Sequence, residues 1–100
     1  MFFFRREDIN AAVAACRAEK GALLLDVRER EEYAAGHIPG ALNLPLSRIR
    51  EADFPGSTAL YVCCLRGSRS KQAVAALRQM GYEKAKSIGG ILRYKGELER

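Results

Sequence analysis

The sequence predicts an α/β domain in which a mainly parallel sheet lies between layers of helices. Short apolar runs and stretches of helical periodicity alternate about five times in 100 residues, a pattern typical of α/β sandwiches with right-handed crossovers. The run at residues 22–27 stays apolar until its end, as expected of a strand that is covered on both faces. A chain of this length builds one hydrophobic core, so we expect residues 1–100 to form a single domain.

Strands are expected where a short apolar run is bounded by turn residues. The predicted strands are residues 1–4, at an edge of the sheet, and residues 22–27, 41–44, 59–63 and 86–88. Before the third of these strands, Pro39 fixes φ and Gly40 supplies the positive φ of a type II turn. The chain is therefore expected to reverse sharply at this point.

Helices are expected where apolar residues recur at intervals of three and four. The predicted helices are residues 7–20, 29–35, 47–51 and 71–80, followed by a basic amphipathic helix over residues 91–100. In the first helix, Ile9, Ala12, Val13 and Cys16 share one face. This placement predicts that Cys16 is a small core residue rather than a reactive thiol.

Composition and charge limit the classes of partner. Seventeen basic and 12 acidic residues give a net charge of +5, which favours anionic partners, but the basic residues are scattered without an aromatic stacking platform, so nucleic acid is not expected. The three cysteines form no spaced pairs, and we expect no disulfide framework, no metal and no other cofactor. No apolar run approaches the roughly 20 residues of a membrane span. We therefore expect a cytoplasmic protein without membrane attachment.

The stretch from Cys64 to Ser70 carries the chemistry. A strand runs into it and a helix runs out, so a thiol lies on a tight turn at a helix N-terminus. Arg66, Arg69 and a run of free backbone N–H groups surround this thiol in sequence, and such an arrangement holds an anion against sulfur. In a parallel sheet, ligands bind beyond the carboxyl ends of the strands, where Asp26, His37 and this turn are all predicted to lie.

Several motifs, in their order and spacing, connect the chain to a known family. They are Asp26-Val27-Arg28 with Glu32-Tyr33, Gly36-His37-Ile38-Pro39-Gly40-Ala41, Cys64-x-x-Gly67-x-Arg69-Ser70, Gly81-Tyr82 and Gly89-Gly90. With these motifs the chain resembles a single-domain rhodanese. The resemblance implies a three-layer sandwich with a five-stranded, mainly parallel sheet. It also implies a persulfide-forming cysteine at Cys64, cradled by the amides of the loop residues Leu65, Arg66, Gly67, Ser68, Arg69 and Ser70.

The expected reaction is the transfer of sulfane sulfur through a covalent intermediate. A helix N-terminus and nearby arginines favour the reactive thiolate, so Cys64 would attack thiosulfate or a similar anionic donor, and a thiol or cyanide would later accept the sulfur. Arg69 is expected to draw in the donor, because its place at the end of the loop leaves it no other evident task. Arg66 is expected to be either a second donor contact or a solvated surface charge.

The remaining site residues are expected to support this loop. Asp26 would anchor a turn by accepting hydrogen bonds from loop amides, with Arg28 beside it. His37, the only histidine, is expected to be structural, because sulfane transfer requires no proton shuttle. Strand alternation turns Cys63 away from Cys64, so Cys63 is expected in the core, and a role as a resolving thiol is the less favoured alternative. The family often has a tryptophan after the Gly-Gly pair, and Tyr94 is expected to occupy that position.

Two other functions remain open. Phosphatases and arsenate reductases of the same fold separate their cysteine from their arginine by five residues, whereas four residues lie between Cys64 and Arg69. The shorter loop favours a single sulfur atom over a tetrahedral oxyanion. The other alternative is a partner-binding module or a sulfur carrier without turnover, for which the positive charge suggests an acidic sulfur-relay protein as partner.

Overall fold

A four-stranded parallel sheet forms the centre of the computed structural model, which describes residues 8–100. Its strands are β1 (Leu23–Asp26), β2 (Leu42–Asn43), β3 (Leu60–Cys64) and β4 (Ala85–Gly90), in the order β2-β1-β3-β4. All three strand pairs are parallel. The described residues thus contain four strands where five were expected, and the predicted edge strand at residues 1–4 lies outside the described residues.

Helices cover both faces of the sheet and complete the predicted sandwich. They are α1 (Ile9–Ala18), α2 (Arg30–Ala35) and α3 (Ser68–Gln79), with 3₁₀ helices at Leu46–Glu51 and Ile91–Arg93. Helix α3 begins at Ser68, earlier than the predicted residue 71, because Gly67 adopts a φ of +113° and turns the chain directly into the helix. Within residues 8–100 no helix is long and apolar enough to cross a membrane.

The predicted C-terminal helix over residues 91–100 is wrong. Only the 3₁₀ turn Ile91–Arg93 forms, and the chain beyond it bonds to distant parts of the molecule. The amide of Lys95 donates to Asn10 Oδ1 at 2.8 Å, and His37 and Glu99 exchange two backbone hydrogen bonds of 2.8 Å each. These tertiary hydrogen bonds satisfy the backbone in place of a helix and override the local pattern.

The sheet divides the buried interior into two hydrophobic cores, one on each face, where the chain length predicted one. The α1 side contains Cys16 and Cys63, together with Tyr94 as a partly buried neighbour, and the α3 side contains Cys64 and Leu77. Successive side chains of a strand point to opposite faces, which places the two adjacent cysteines in different cores. The predictions that Cys16 and Cys63 are core residues are confirmed.

Candidate active site

The sulfur of Cys64 lies at the last residue of β3 and faces the N-terminus of α3. Its Sγ accepts hydrogen bonds from the backbone N–H of Gly67 at 3.0 Å and of Ser70 at 3.3 Å. The N-cap residue, Gly67, has no side chain that could cap the helix, so the Cys64 thiol takes a place that a capping oxygen commonly fills. Two N–H donors and the positive end of the helix dipole together stabilise negative charge on the sulfur.

The loop that follows Cys64 lies directly on the end of β4. A Cβ atom on Gly90 would come within 2.3 Å of the Leu65 carbonyl oxygen and 2.6 Å of Arg66 Cα, so only a glycine permits this approach. The Leu65 carbonyl also accepts a hydrogen bond of 3.2 Å from the amide of Leu92. The backbone of the loop thus packs directly on the Gly89-Gly90 pair, which the sequence places near the site.

Ser70 closes the loop from the other side. It is fully buried, and its Oγ donates to the Gly67 carbonyl at 2.9 Å and shares a hydrogen bond of 2.7 Å with Ser87 Oγ. Ser87 was not predicted as part of the site, and only its place two positions before the Gly89-Gly90 pair could have indicated it. The two hydroxyl groups fix the turn whose amides bond to the sulfur.

Arg69 forms a bidentate ion pair with Glu32 of α2. Its Nη1 and Nη2 donate to the two carboxylate oxygens at 2.7 and 3.0 Å, and the side chains are 29% and 33% exposed. The hydrogen bond from Arg69 is the main cause that lowers the pKa of Glu32 to about 2. The expectation that Arg69 has no other task is therefore wrong, and its contact with a donor stays a prediction. Glu32 appeared in the sequence only as part of a motif.

The other loop residues differ in how they are held. Leu65 is half-buried against the α1-side core, whereas Ser68 begins α3 and is exposed. Arg66 is exposed, and it has no ion-pair partner within the part of the chain that the structure describes. Its guanidinium group is therefore available to an anionic ligand.

Asp26 and Arg28 form a second ion pair, buried at the carboxyl end of β1. Asp26 Oδ1 accepts from the backbone N–H and the Nε of Arg28, both at 3.0 Å, and Oδ2 accepts from Nη2 at 2.8 Å. Nη2 also donates to the Gly36 carbonyl at 2.7 Å. Burial alone would lower the pKa of Arg28, but the hydrogen bonds and charge of Asp26 outweigh burial and raise that pKa. These contacts fit the predicted supporting role of the pair.

His37 fixes the turn that precedes β2. Its ring stacks on Tyr33 with centroids 3.8 Å apart and an interplanar angle of 7°, and its Nδ1 lies 2.9 Å from the Tyr33 carbonyl oxygen. Its Nε2 is 3.8 Å from a Glu99 carboxylate oxygen. None of these contacts involves the Cys64 loop, which agrees with the structural role predicted for His37.

Cys63 is held in a different chemical environment from its neighbour. Its side chain is fully buried, and burial raises the pKa of its thiol far above the ordinary value, an effect to which the charge of Asp26 adds. A thiolate is the reactive form of cysteine. A raised pKa disfavours that form, so the environment of Cys63 favours packing over sulfur transfer.

Comparisons with known proteins identify the family of this chain. The family described as "Rhodanese-like domain" matches residues 10–97. The human protein named thiosulfate:glutathione sulfurtransferase is 39% identical over an alignment of 102 positions, which covers 86% of this chain and 85% of that protein. The adenylyltransferase and sulfurtransferase uba4 of Ogataea parapolymorpha is 32% identical over 97 residues, and the match covers 93% of this chain but only 25% of that protein.

A solved structure shows the same likeness in three dimensions. It is titled "rhodanese with anions from E. coli", and it superposes with a TM-score of 0.72 and 30% identity over 79% of this chain and 98% of that one. Because the family match covers most of the chain, from residue 10 to residue 97, the chain belongs to the rhodanese-like family.

Proposed function

We propose that this protein is a sulfurtransferase that carries sulfane sulfur on Cys64. The observation that carries the proposal is the pair of backbone N–H groups that donate to Cys64 Sγ from the loop and the first turn of α3. They stabilise the thiolate as the nucleophile of the first step and as the leaving group of the second. The donor would be thiosulfate or a similar anion, to which the net charge of +5 contributes attraction.

In the first half-reaction, the Cys64 thiolate attacks the outer sulfur of thiosulfate. A new bond forms from Sγ to that sulfur, the S–S bond of thiosulfate breaks, and its electron pair leaves with sulfite. The amides of Ser68 and Arg69 lie in the first turn of α3. We assign to them the stabilisation of the outer sulfur of the persulfide, since a helix N-terminus binds negative charge.

In the second half-reaction, an acceptor takes the outer sulfur and releases the Cys64 thiolate. Two acceptors are proposed, cyanide and a thiol, and the thiol is favoured by the likeness to a thiosulfate:glutathione sulfurtransferase. Donor and acceptor thus react in turn with one cysteine, which predicts ping-pong kinetics.

The geometry gives less support to a phosphatase. Such an enzyme would need a guanidinium group to bind the equatorial oxygens of the phosphoryl group. Here both terminal nitrogens of Arg69 are bonded to Glu32. With only four residues between Cys64 and Arg69, the loop also gives a smaller cradle, which suits one sulfur atom.

A sulfur-relay role is a second candidate. It is favoured by the match to an adenylyltransferase and sulfurtransferase, of which this chain spans only a quarter. In that case the same Cys64 persulfide would be loaded by a partner protein, and the positive charge of the chain would favour an acidic partner. The two roles share the persulfide and differ in what supplies it.

The test is the intact mass of the protein after incubation with thiosulfate. We expect one added sulfur atom on the parent and on Cys63→Ala, none on Cys64→Ser, and loss of the added sulfur when cyanide or glutathione is supplied. Cys63→Ala keeps the buried position apolar, and circular dichroism checks that each variant is folded. Sulfur loading that survives in Cys64→Ser overturns the assignment, as does hydrolysis of an aryl phosphate by a parent that takes up no sulfur.

A further inference from the structure

The hydroxyl group of Ser87 lies on β4 and contacts the first turn of α3. Ser87 is paired with Val62 of β3, and the register shifts directly after this pair, so that Cys63 pairs with Gly89. Residues paired across two strands project to the same face of the sheet, and Val62 belongs to the α3-side core. The Oγ of Ser87 therefore lies on the α3 side, where it is 2.7 Å from the Oγ of Ser70.

The hydrogen bond between the two hydroxyl groups has a fixed direction. Ser70 Oγ also donates to the Gly67 carbonyl oxygen at 2.9 Å, and a carbonyl oxygen can only accept. A serine hydroxyl carries one proton, so the proton of Ser70 is used on Gly67. Ser87 must then supply the proton between the two hydroxyl oxygens, and donation runs from Ser87 to Ser70 and from Ser70 to Gly67.

This chain of hydrogen bonds ends on the two residues whose amides bond to the sulfur. The backbone N–H groups of Gly67 and Ser70 donate to Cys64 Sγ at 3.0 and 3.3 Å. The Gly67 carbonyl shares its peptide unit with the N–H of Ser68, and an accepted hydrogen bond polarises that unit. The Ser70 side chain thus links the donors around the sulfur, and Ser87 holds the Ser70 side chain.

Burial makes Ser70 dependent on this donor. Ser70 is fully buried, and Ser87 is partly buried. A buried hydroxyl oxygen that loses its donor costs free energy, and the first turn of α3 would shift to relieve that cost. Such a shift would move the Ser70 N–H relative to Cys64 Sγ.

We propose that Ser87 is a positioning residue for the Cys64 thiolate. Its hydroxyl acts through Ser70, which fixes the first turn of α3 and thereby holds the N–H groups of Gly67 and Ser70 against the sulfur. As a role in catalysis, this inference rests on the proposed function, sulfur transfer through Cys64. As a role in forming the thiolate, it can be measured without any sulfur donor.

The first test titrates the thiolate in the absence of thiosulfate. A thiolate absorbs ultraviolet light more strongly than a thiol, and subtracting the spectrum of the same protein with Cys64→Ser isolates the signal of Cys64. In Ser87→Ala this signal should appear about 0.7 pH units higher than in the parent, since one net hydrogen bond changes an equilibrium about fivefold. Ser87→Thr keeps a hydroxyl and should titrate as the parent does. Arg69 and Cys63, which interact electrostatically with Cys64, are unchanged in both variants.

Two further variants test the path from Ser87 to the sulfur. Ser57 is exposed and precedes β3, at the opposite end of the sheet, so Ser57→Ala should titrate as the parent does. Ser70→Ala removes the link itself, and in that background Ser87→Ala should have no additional effect. Circular dichroism checks folding. If Ser87→Ala does not fold, Ser70→Ala tests the same hydrogen bond from its other partner and should by itself move the titration to higher pH.

The second test separates this inference from the proposed function. The rate of sulfur loading from thiosulfate at pH 7, read by mass, should fall about fivefold in Ser87→Ala and approach the parental rate as the pH rises. A parental titration in Ser87→Ala, an equal shift in Ser87→Thr or Ser57→Ala, or an additional shift in the Ser70→Ala background overturns the role of Ser87. A parent that takes up no sulfur, although its thiolate titration responds to Ser87→Ala, refutes the proposed function and leaves the positioning role in place.

Discussion

Two arginine–carboxylate pairs of nearly the same geometry occupy different parts of the molecule. Arg28 meets Asp26 at 2.8 Å, and Arg69 meets Glu32 at 2.7 Å. The first pair joins residues two positions apart and has side chains only 6% and 0% exposed. The second joins residues 37 positions apart and has about a third of each side chain in solvent. The two pairs therefore differ in burial and in sequence separation, although their contact distances are nearly the same. The buried pair belongs to the scaffold, and the partly exposed pair holds the active-site loop.

The buried pair should have the larger effect on stability. In Asp26→Ala, Arg28 would remain buried without its counter-charge and would keep only the Gly36 carbonyl as a side-chain acceptor. We expect the free energy of unfolding to fall by about 3–5 kcal/mol, measured by urea denaturation. This loss is a large part of the free energy of unfolding of a typical domain, which is roughly 5–15 kcal/mol.

A double variant tests the same pair if Asp26→Ala does not fold. Asp26→Leu combined with Arg28→Met removes both charges and fills the space with apolar groups, so it should lose less stability than Asp26→Ala. If the free energy of unfolding of Asp26→Ala lies within about 1 kcal/mol of the parental value, the pair does not stabilise the end of β1 as described.

The partly exposed Arg69–Glu32 pair should affect sulfur loading more than stability. Glu32→Gln keeps the size of the side chain and one acceptor oxygen but removes the charge that fixes Arg69. We expect the rate of loading from thiosulfate to fall about tenfold, or about 1.4 kcal/mol, because the loop amides lose their fixed position around the sulfur. The rate is measured by mass at several times after mixing with thiosulfate.

A third ion pair supplies the matched control for Glu32→Gln. Arg48 and Glu51 also form a bidentate contact, but both side chains are more than half exposed and lie in the 3₁₀ helix Leu46–Glu51, outside the loop. Glu51→Gln should therefore load sulfur at the parental rate. Faster loading by Glu32→Gln would contradict the positioning role and would indicate that Glu32 withholds Arg69 from the donor.

The two pairs also show how far the sequence could predict the site. The buried pair lies within one motif at the end of an apolar run, so the supporting role of Asp26 could be predicted from local pattern. Arg69 and Glu32 are far apart in sequence, and nothing local to Arg69 indicates its partner. For this reason the predicted role of Arg69 did not include Glu32.

The same division holds for the fold. The four described strands and the helices packed on them follow from hydrophobic periodicity, since burial imposes that pattern. The segment after Ile91 carries a helical pattern but is held by Asn10 and His37, contacts that arise only when the chain is folded. The approach of the loop to Gly90 likewise depends on tertiary packing, although the glycine pair itself marked the place.

Acid titration should give the smallest effect and can isolate the Glu32–Arg69 pair. The pKa of Glu32 in the folded protein is lowered from 4.5 to about 2. A carboxyl group whose folded pKa is lowered contributes stability above its unfolded pKa and loses that contribution as the pH falls toward the folded value. The contribution of Glu32 should thus be complete above about pH 5 and disappear between about pH 4.5 and pH 2. Its size should be about 1 kcal/mol, because solvent screens a partly exposed pair.

The measurement is the difference in free energy of unfolding between the parent and Glu32→Gln across that pH range. Because the two proteins share all other carboxyl groups, the difference between their free energies of unfolding cancels the titration of those groups. The difference should be constant from about pH 5 to pH 7 and approach zero near pH 2, since a protonated Glu32 is nearly equivalent to glutamine. A difference that persists undiminished at pH 2 would contradict this prediction. It would show that Glu32 stabilises the protein by packing rather than by its charge.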